Sequence, residues 1–166
     1  MLLDRVLPER ASARVSDGLS AAYRSFGRYW YFRRVALATV LGDVEGAERA
    51  RLVFGVLPYS LVGWKGLEAT YNCVRLAQKA DLAGDLVECG VARGGSAAVM
   101  AILNERSANP GAVWLFDSYE GLPDPTPEDY KDNRTGTHIR QLPKGSCLGT
   151  YEQVSDLLFN RLKLGR

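Results

Sequence analysis

Apolar residues recur along this chain in two rhythms. Trp64, Leu67, Tyr71 and Val74 fall at helical spacing and predict a helix over residues 61–80 with one apolar face. The runs Leu86, Val87, Cys89 and 112–116 are short and apolar, the pattern of buried parallel strands. Residues 96–103 between them read as a helix, so strand, helix and strand alternate in the manner of an α/β fold with a doubly wound sheet. The punctuation agrees with these bounds. Pro58 biases Leu57 away from helix, Ala83-Gly84-Asp85 turns into the first strand, and Asn109-Pro110-Gly111 separates the helix from the second strand. Thr150 and Gln153 form a capping box that opens a last helix carrying Val154, Leu157, Leu158 and Leu162 on one face. The expected organisation is an amino-terminal helical region, residues 1–58, followed by an α/β unit at 59–166.

The chemistry concentrates where the first strand meets its helix. Glu88 is followed by Gly90, Gly94, Gly95 and Ser96, and glycines there allow a tight turn and a close backbone approach to a ligand. The helix that follows directs its free N–H groups into the same space. The second strand ends in Asp117 and Ser118, where a carboxylate can accept hydrogen bonds from both hydroxyls of a ribose. The spacing is not the G-x-G-x-x-G of a dinucleotide site, and a carboxylate at Glu88 would repel a pyrophosphate. A cofactor with an ammonium group and a ribose, such as S-adenosylmethionine, suits this constellation better than a nicotinamide dinucleotide. Spacing alone leaves a second reading open, in which the glycines make a tight βα turn and Glu88 is a solvated acid.

Charge and composition narrow the partners. The net charge of +2 is too small to argue for nucleic acid, although residues 1–34 carry +4 and the remainder −2. Residues 20–41 interleave Arg24, Arg28, Arg33 and Arg34 with Tyr23, Phe26, Tyr29, Trp30, Tyr31 and Phe32. That segment is too short and interrupted to span a bilayer. It is expected to pack on its own domain or on a second subunit as a homodimer contact, with a membrane surface as the alternative. Cys73, Cys89 and Cys147 suggest no pairing scheme, so reduced thiols and a cytoplasmic location are expected. His138, in a polar loop, reads as a surface residue. The long segment 121–149 follows the strand-end acid directly and is expected to border the cofactor pocket.

The run from Gly84 to Ser96, G-D-L-V-E-C-G-V-A-R-G-G-S, together with Val113 to Pro123, V-W-L-F-D-S-Y-E-G-L-P, resembles the macrocin O-methyltransferase family. The resemblance extends from about Tyr59 onward and departs from the family at Ala92, where many members carry tryptophan. It implies a Rossmann-like class I methyltransferase sheet and transfer of a methyl group from S-adenosylmethionine to a hydroxyl of a sugar or glycosylated natural product. By position it implies cofactor contacts from Glu88, Gly90, Val91, Gly94, Gly95 and Ser96, and from Asp117 and Ser118 at the ribose and adenine. Ser60 and Leu61 align with a segment that closes over the cofactor. The family usually also uses a divalent metal, magnesium, held by aspartates on a later strand. After Glu88, 78 residues remain, and a strand-helix-strand unit takes at least about 30. Two or three strands fit. The expectation is therefore an amino-terminal half of the domain, with the catalytic and metal-binding residues beyond position 166 and marginal stability by itself. The competing expectation is a non-catalytic half-domain that binds a partner or a membrane.

Overall fold

The computed structural model describes residues 26–130 and 141–165. His138 and residues 20–25 lie outside them. Helix α1 (26–40) leads into α2 (Val44–Val56), a single 3-10 turn (Leu57–Tyr59) and α3 (Gly63–Lys79). Strand β1 (Leu86–Cys89), helix α4 (Gly95–Glu105) and strand β2 (Val113–Phe116) follow, and α5 (Tyr151–Ser155) continues as a π-helical turn through Asp156–Arg161. The sequence-predicted elements are therefore present, each within a few residues of its expected bounds.

Local chemistry explains the boundaries. The Asp43 side chain accepts the Gly46 N–H and caps α2, and Thr150 and Gln153 form the reciprocal capping box at α5. Asn104 closes the α4 to β2 connection by donating to the Gly111 carbonyl at 2.7 Å and accepting the Gly111 N–H at 3.1 Å. Asp85 ties the two strand entrances together, accepting the Ala112 N–H and the Trp114 indole N–H, each at 2.8 Å.

The strands pair in parallel, with Leu86 opposite Val113 and Cys89 opposite Phe116. One sheet face, carrying Leu86, Val113 and Leu115, packs on a core built from Val53 and Val56 of α2, Leu67, Tyr71 and Val74 of α3, Ala97 to Val99 and Leu103 of α4, and Val154 and Leu157 of α5. Residues on both sides of the Leu57–Pro58 break thus share one core. The other sheet face is uncovered by any described residue. Strands buried on both sides were expected from the continuous apolar runs, but Val87, Cys89, Trp114 and Phe116 are exposed, Trp114 by 52%. The reason is geometric: the described helices that share the core pack against a single face, so alternate residues of each strand point to solvent.

The aromatic segment divides in the same way. Tyr31 is fully buried, and Trp30 and Tyr31 lie against Trp64 with ring centroids 5.2 and 5.8 Å apart. Arg34 stacks over Trp30 and donates to Glu68 at 2.5 Å, which fixes α1 on α3. Phe26, Tyr29 and Phe32 face outward. Of the described aromatics, Trp30 and Tyr31 pack on their own domain, and Phe26, Tyr29 and Phe32 remain at the surface. No helix among the described residues is long and apolar enough to cross a membrane.

Leu67 is fully buried on α3 while Leu76 of the same helix is exposed. Leu67→Ala is expected to lower the free energy of unfolding by about 2–5 kcal/mol, and Leu76→Ala to change it by less than about 0.5 kcal/mol. Urea unfolding followed by circular dichroism separates them, and equal effects would contradict this core.

Candidate functional site

Parallel pairing sets the carboxyl ends of both strands side by side. The Gly90 N–H donates to the Phe116 carbonyl at 2.8 Å, so the chain leaving β1 is held against the end of β2. It then turns sharply: Gly90, Ala92 and Gly94 all have left-handed backbone, at φ +89°, +47° and +84°. Glycine adopts this freely, whereas at Ala92 it costs roughly 1–2 kcal/mol. Tyr119, just past β2, is also left-handed at φ +58°.

One carboxylate binds both turns. Asp117 Oδ2 accepts the Val91 N–H at 2.6 Å and the Ala92 N–H at 2.9 Å, and its Oδ1 accepts the Tyr119 N–H at 2.7 Å. Burial alone would raise its pKa, but the backbone donors Ala92, Tyr119, Val91 and Ser118 outweigh it and hold Asp117 below its ordinary value. Glu88 is the opposite case. Burial, then the negative Asp117 nearby, push it up to about 7, and its Oε2 is buried with no hydrogen-bond partner. A carboxyl with one oxygen buried and unclaimed beside an open turn has capacity for a donor, and a cationic donor suits it best.

The glycines differ in what they do. A Cβ at Gly90 would meet nothing within 4 Å, so this residue borders open space. A Cβ at Gly94 would touch Val154 and Leu157 of α5, and one at Gly95 would lie 2.9 Å from the Ser60 Cα. Gly94 and Gly95 are thus explained by close packing of α5 and of the segment at Ser60. Ser60 Oγ is also buried without a partner. Glu88, Gly90, Val91, Gly94, Gly95, Asp117 and Ser60 are therefore brought together at one end of the sheet. The Val91 side chain points into the core, leaving its backbone at the turn. Ser96 sits half-buried in the first turn of α4, while Leu61 and Ser118 are exposed, and the Ser118 hydroxyl accepts the Glu120 N–H at 3.3 Å. Of the long segment, residues 141–150 return to the turn: a Cβ on Gly149 would lie 1.9 Å from the Ala92 carbonyl oxygen.

Two features gave no signal in the sequence, the left-handed Ala92 and Tyr119, because neither residue type announces that conformation. An apolar groove of about 550 Å³ along α4, β2 and the π-helical turn, lined by Ala101, Leu115, Leu158 and Phe159, includes neither Glu88 nor Asp117. Among the described residues no group of three or more His, Cys, Asp or Glu side chains is gathered to hold a metal ion, so they do not fit the magnesium that the resemblance implies. The three cysteines are free and exposed.

A small parallel two-stranded sheet, with a glycine turn over two strand-end acids and helices on one face, makes this a mixed α/β unit. The profile of the macrocin O-methyltransferase (TylF) family matches residues 38–160, and the chain belongs to that family. It is 35% identical over 97 residues to the 8-demethyl-8-(2,3-dimethoxy-alpha-L-rhamnosyl)-tetracenomycin-C 4'-O-methyltransferase of Streptomyces olivaceus, covering 56% of this chain and 37% of that one. It is 36% identical over 77 residues to the demethyldecarbamoylnovobiocin O-methyltransferase of Streptomyces niveus, covering 46% and 29%. Mycinamicin III 3''-O-methyltransferase of Micromonospora griseorubida is 30% identical over 95 residues, covering 57% and 37%. The solved O-methyltransferase NovP superposes with a TM-score of 0.50 at 31% identity, over 65% of this chain and 44% of that one. The match thus spans less than half the length of each of these relatives.

A carboxyl held up to about 7 has a consequence for folding. Between its ordinary value of 4.5 and about 7, the unfolded chain has already ionised Glu88 while the folded chain keeps it protonated. Its contribution to stability therefore falls as pH rises through that window and is level above it. Melting temperatures of the wild type and Glu88→Gln recorded between those two values should converge toward low pH and diverge toward neutrality, with the variant the more stable. Parallel curves would contradict the assignment.

Proposed function

We propose that this chain forms part of an S-adenosylmethionine-dependent O-methyltransferase acting on a hydroxyl of a sugar or glycosylated natural product, and that its two strands belong to a Rossmann-like class I sheet. The observation that carries the reading is the half-buried Glu88 carboxyl, with its Oε2 buried and unpartnered, beside the open left-handed Gly90. The family's members use S-adenosylmethionine. The relatives are named as O-methyltransferases of a rhamnosyl-tetracenomycin, of demethyldecarbamoylnovobiocin and of mycinamicin III, the first a sugar-bearing compound by its name, which supports the substrate class.

The bound cofactor supplies a sulfonium-activated methyl group. The chain's own residues bind and orient it. Glu88 accepts the cofactor's ammonium group, which repays the cost of ionising a buried carboxyl. Gly90 leaves room for the ligand to lie against the backbone, and the first turn of α4, with Ser96, presents N–H groups to the polar end. The buried Ser60 hydroxyl, next to Gly95, stands ready to donate or accept from the other side, with Leu61 at the rim. Holding the donor methyl in one place is the part of catalysis these residues can provide, because orientation converts an encounter into a near-attack geometry. The outward Phe26, Tyr29 and Phe32 of α1 support a homodimer contact.

Calorimetric titration tests the cofactor. S-adenosylhomocysteine and S-adenosylmethionine are expected to bind at one shared site and NAD not at all. Glu88→Gln should weaken both nucleosides by about 1.5–3 kcal/mol, as for a charge-assisted hydrogen bond. Binding of NAD, or undiminished affinity in Glu88→Gln, would remove the reading. For the dimer, light scattering of a Phe26→Ser/Phe32→Ser variant should show half the wild-type mass. An unchanged mass would sink that contact.

A further inference from the structure

Two acids stand at the carboxyl ends of the paired strands, and they are in different states. The Asp117 carboxylate is already engaged on both oxygens, by the N–H groups of Val91 and Ala92 on one side and of Tyr119 on the other. Two of those three donors, Ala92 and Tyr119, belong to non-glycine residues with left-handed backbone. A non-glycine residue persists there when its surroundings over-determine it. Val91 anchors the first turn from below through its buried side chain, and Gly149 presses on the Ala92 carbonyl from the other side. Glu88 has one oxygen buried and unclaimed.

We propose that Asp117 is a positioning residue: it pins the turn after β1 to the turn after β2 and thereby shapes the ligand-facing backbone, while Glu88 is the acid offered to the ligand. This inference rests on the cofactor reading above for the identity of the ligand, and departs from the expectation that a strand-end acid here serves the ribose hydroxyls. Its physical basis is that Oδ2 already receives two N–H bonds and Oδ1 one, so at most about one acceptor site is left, too few for both ribose hydroxyls, whereas losing those bonds would free both turns at once. Asparagine at 117 would keep one acceptor but turn an N–H₂ group toward backbone donors, so the pin fails without removing the side chain's bulk.

The test compares Asp117→Asn with the wild type at a temperature where circular dichroism shows both folded. Amide hydrogen exchange at Val91, Ala92 and Tyr119 in the ligand-free protein is expected to speed up tenfold or more. The affinities for S-adenosylhomocysteine and for its ribose-deoxy analogues are expected to fall by a common factor. Unchanged exchange at those three amides would overturn the proposal. A loss of affinity confined to the ligand that carries both hydroxyls would overturn it as well, since that is the signature of direct ribose contact. Faster exchange with affinity unchanged would reduce Asp117 to a purely structural residue and also overturn it. Should no nucleoside bind even to the wild type, the cofactor reading fails, while the exchange measurement still decides whether Asp117 pins the turns. If Asp117→Asn does not fold, Asp117→Glu, which retains both oxygens at a longer reach, takes its place under the same criteria.

Discussion

The site depends on the parallel pairing of β1 with β2 being carried past the ends of the strands. The ladder would finish at Cys89 opposite Phe116, but the Gly90 N–H reaches the Phe116 carbonyl and the Asp117 carboxylate gathers the next N–H groups. The turn after β1 is therefore tied to the second strand by three hydrogen bonds, and the same carboxylate holds the turn after β2 through the Tyr119 N–H. The consequence is electrostatic as well as geometric. Asp117, saturated by backbone donors, stays ionised, and its charge adds to burial in keeping the nearby Glu88 protonated to about 7. Two carboxyl groups of similar chemistry thus acquire different states from their surroundings alone.

The rest of the architecture serves that arrangement. Helices α2 to α5 converge on one sheet face, and α5 reaches the glycine turn itself through Val154 and Leu157 against Gly94. Ser60, at the end of the 3-10 turn, packs on Gly95, so the segment that precedes α3 abuts the start of α4. The π-helical turn after Ser155 brings Arg161 to Tyr59 at 3.2 Å and to Asp156 at 2.6 Å, joining α5 to the same segment. The opposite sheet face carries Val87, Trp114 and Phe116 in the open. Parallel sheets are ordinarily covered on both faces, so these side chains are the least satisfied apolar surface of the strands.

Much of this was legible in the sequence because it is local. Helical and strand periodicity, the Thr150–Gln153 capping box, the break at Pro58 and the strand-glycine-helix order each depend on neighbours within a few positions. Glu88, Gly90 and Asp117 could be singled out because strand topology brings strand ends together whatever the details of packing. What could not be read was set by contacts distant in sequence. The continuous apolar runs suggested burial on both faces, but coverage depends on which helices reach each face. Gly94 and Gly95 looked like ligand-approach glycines, although contacts with α5 and Ser60 are sufficient reason for them. The left-handed Ala92 and Tyr119 carry no sequence signature, since their conformation is maintained by a carboxylate 25 residues away from one and two from the other. The aromatic stripe of α1 was ambiguous because its residues have different fates, Trp30 and Tyr31 against Trp64 and Phe26, Tyr29 and Phe32 at the surface.

The central claim is that burial and the nearby Asp117 charge keep the Glu88 carboxyl protonated up to about pH 7 in the free protein, and that a cationic ligand ionises it. Carbon-13 labelling of glutamate carboxyls, with Glu88 assigned by comparison with Glu88→Gln, allows its titration to be followed directly by NMR. The expected result is a midpoint near 7 in the free protein, moving well down into the ordinary carboxylate range when S-adenosylhomocysteine is saturating. A midpoint already in the ordinary range without ligand, or one that the ligand leaves in place, would contradict the account.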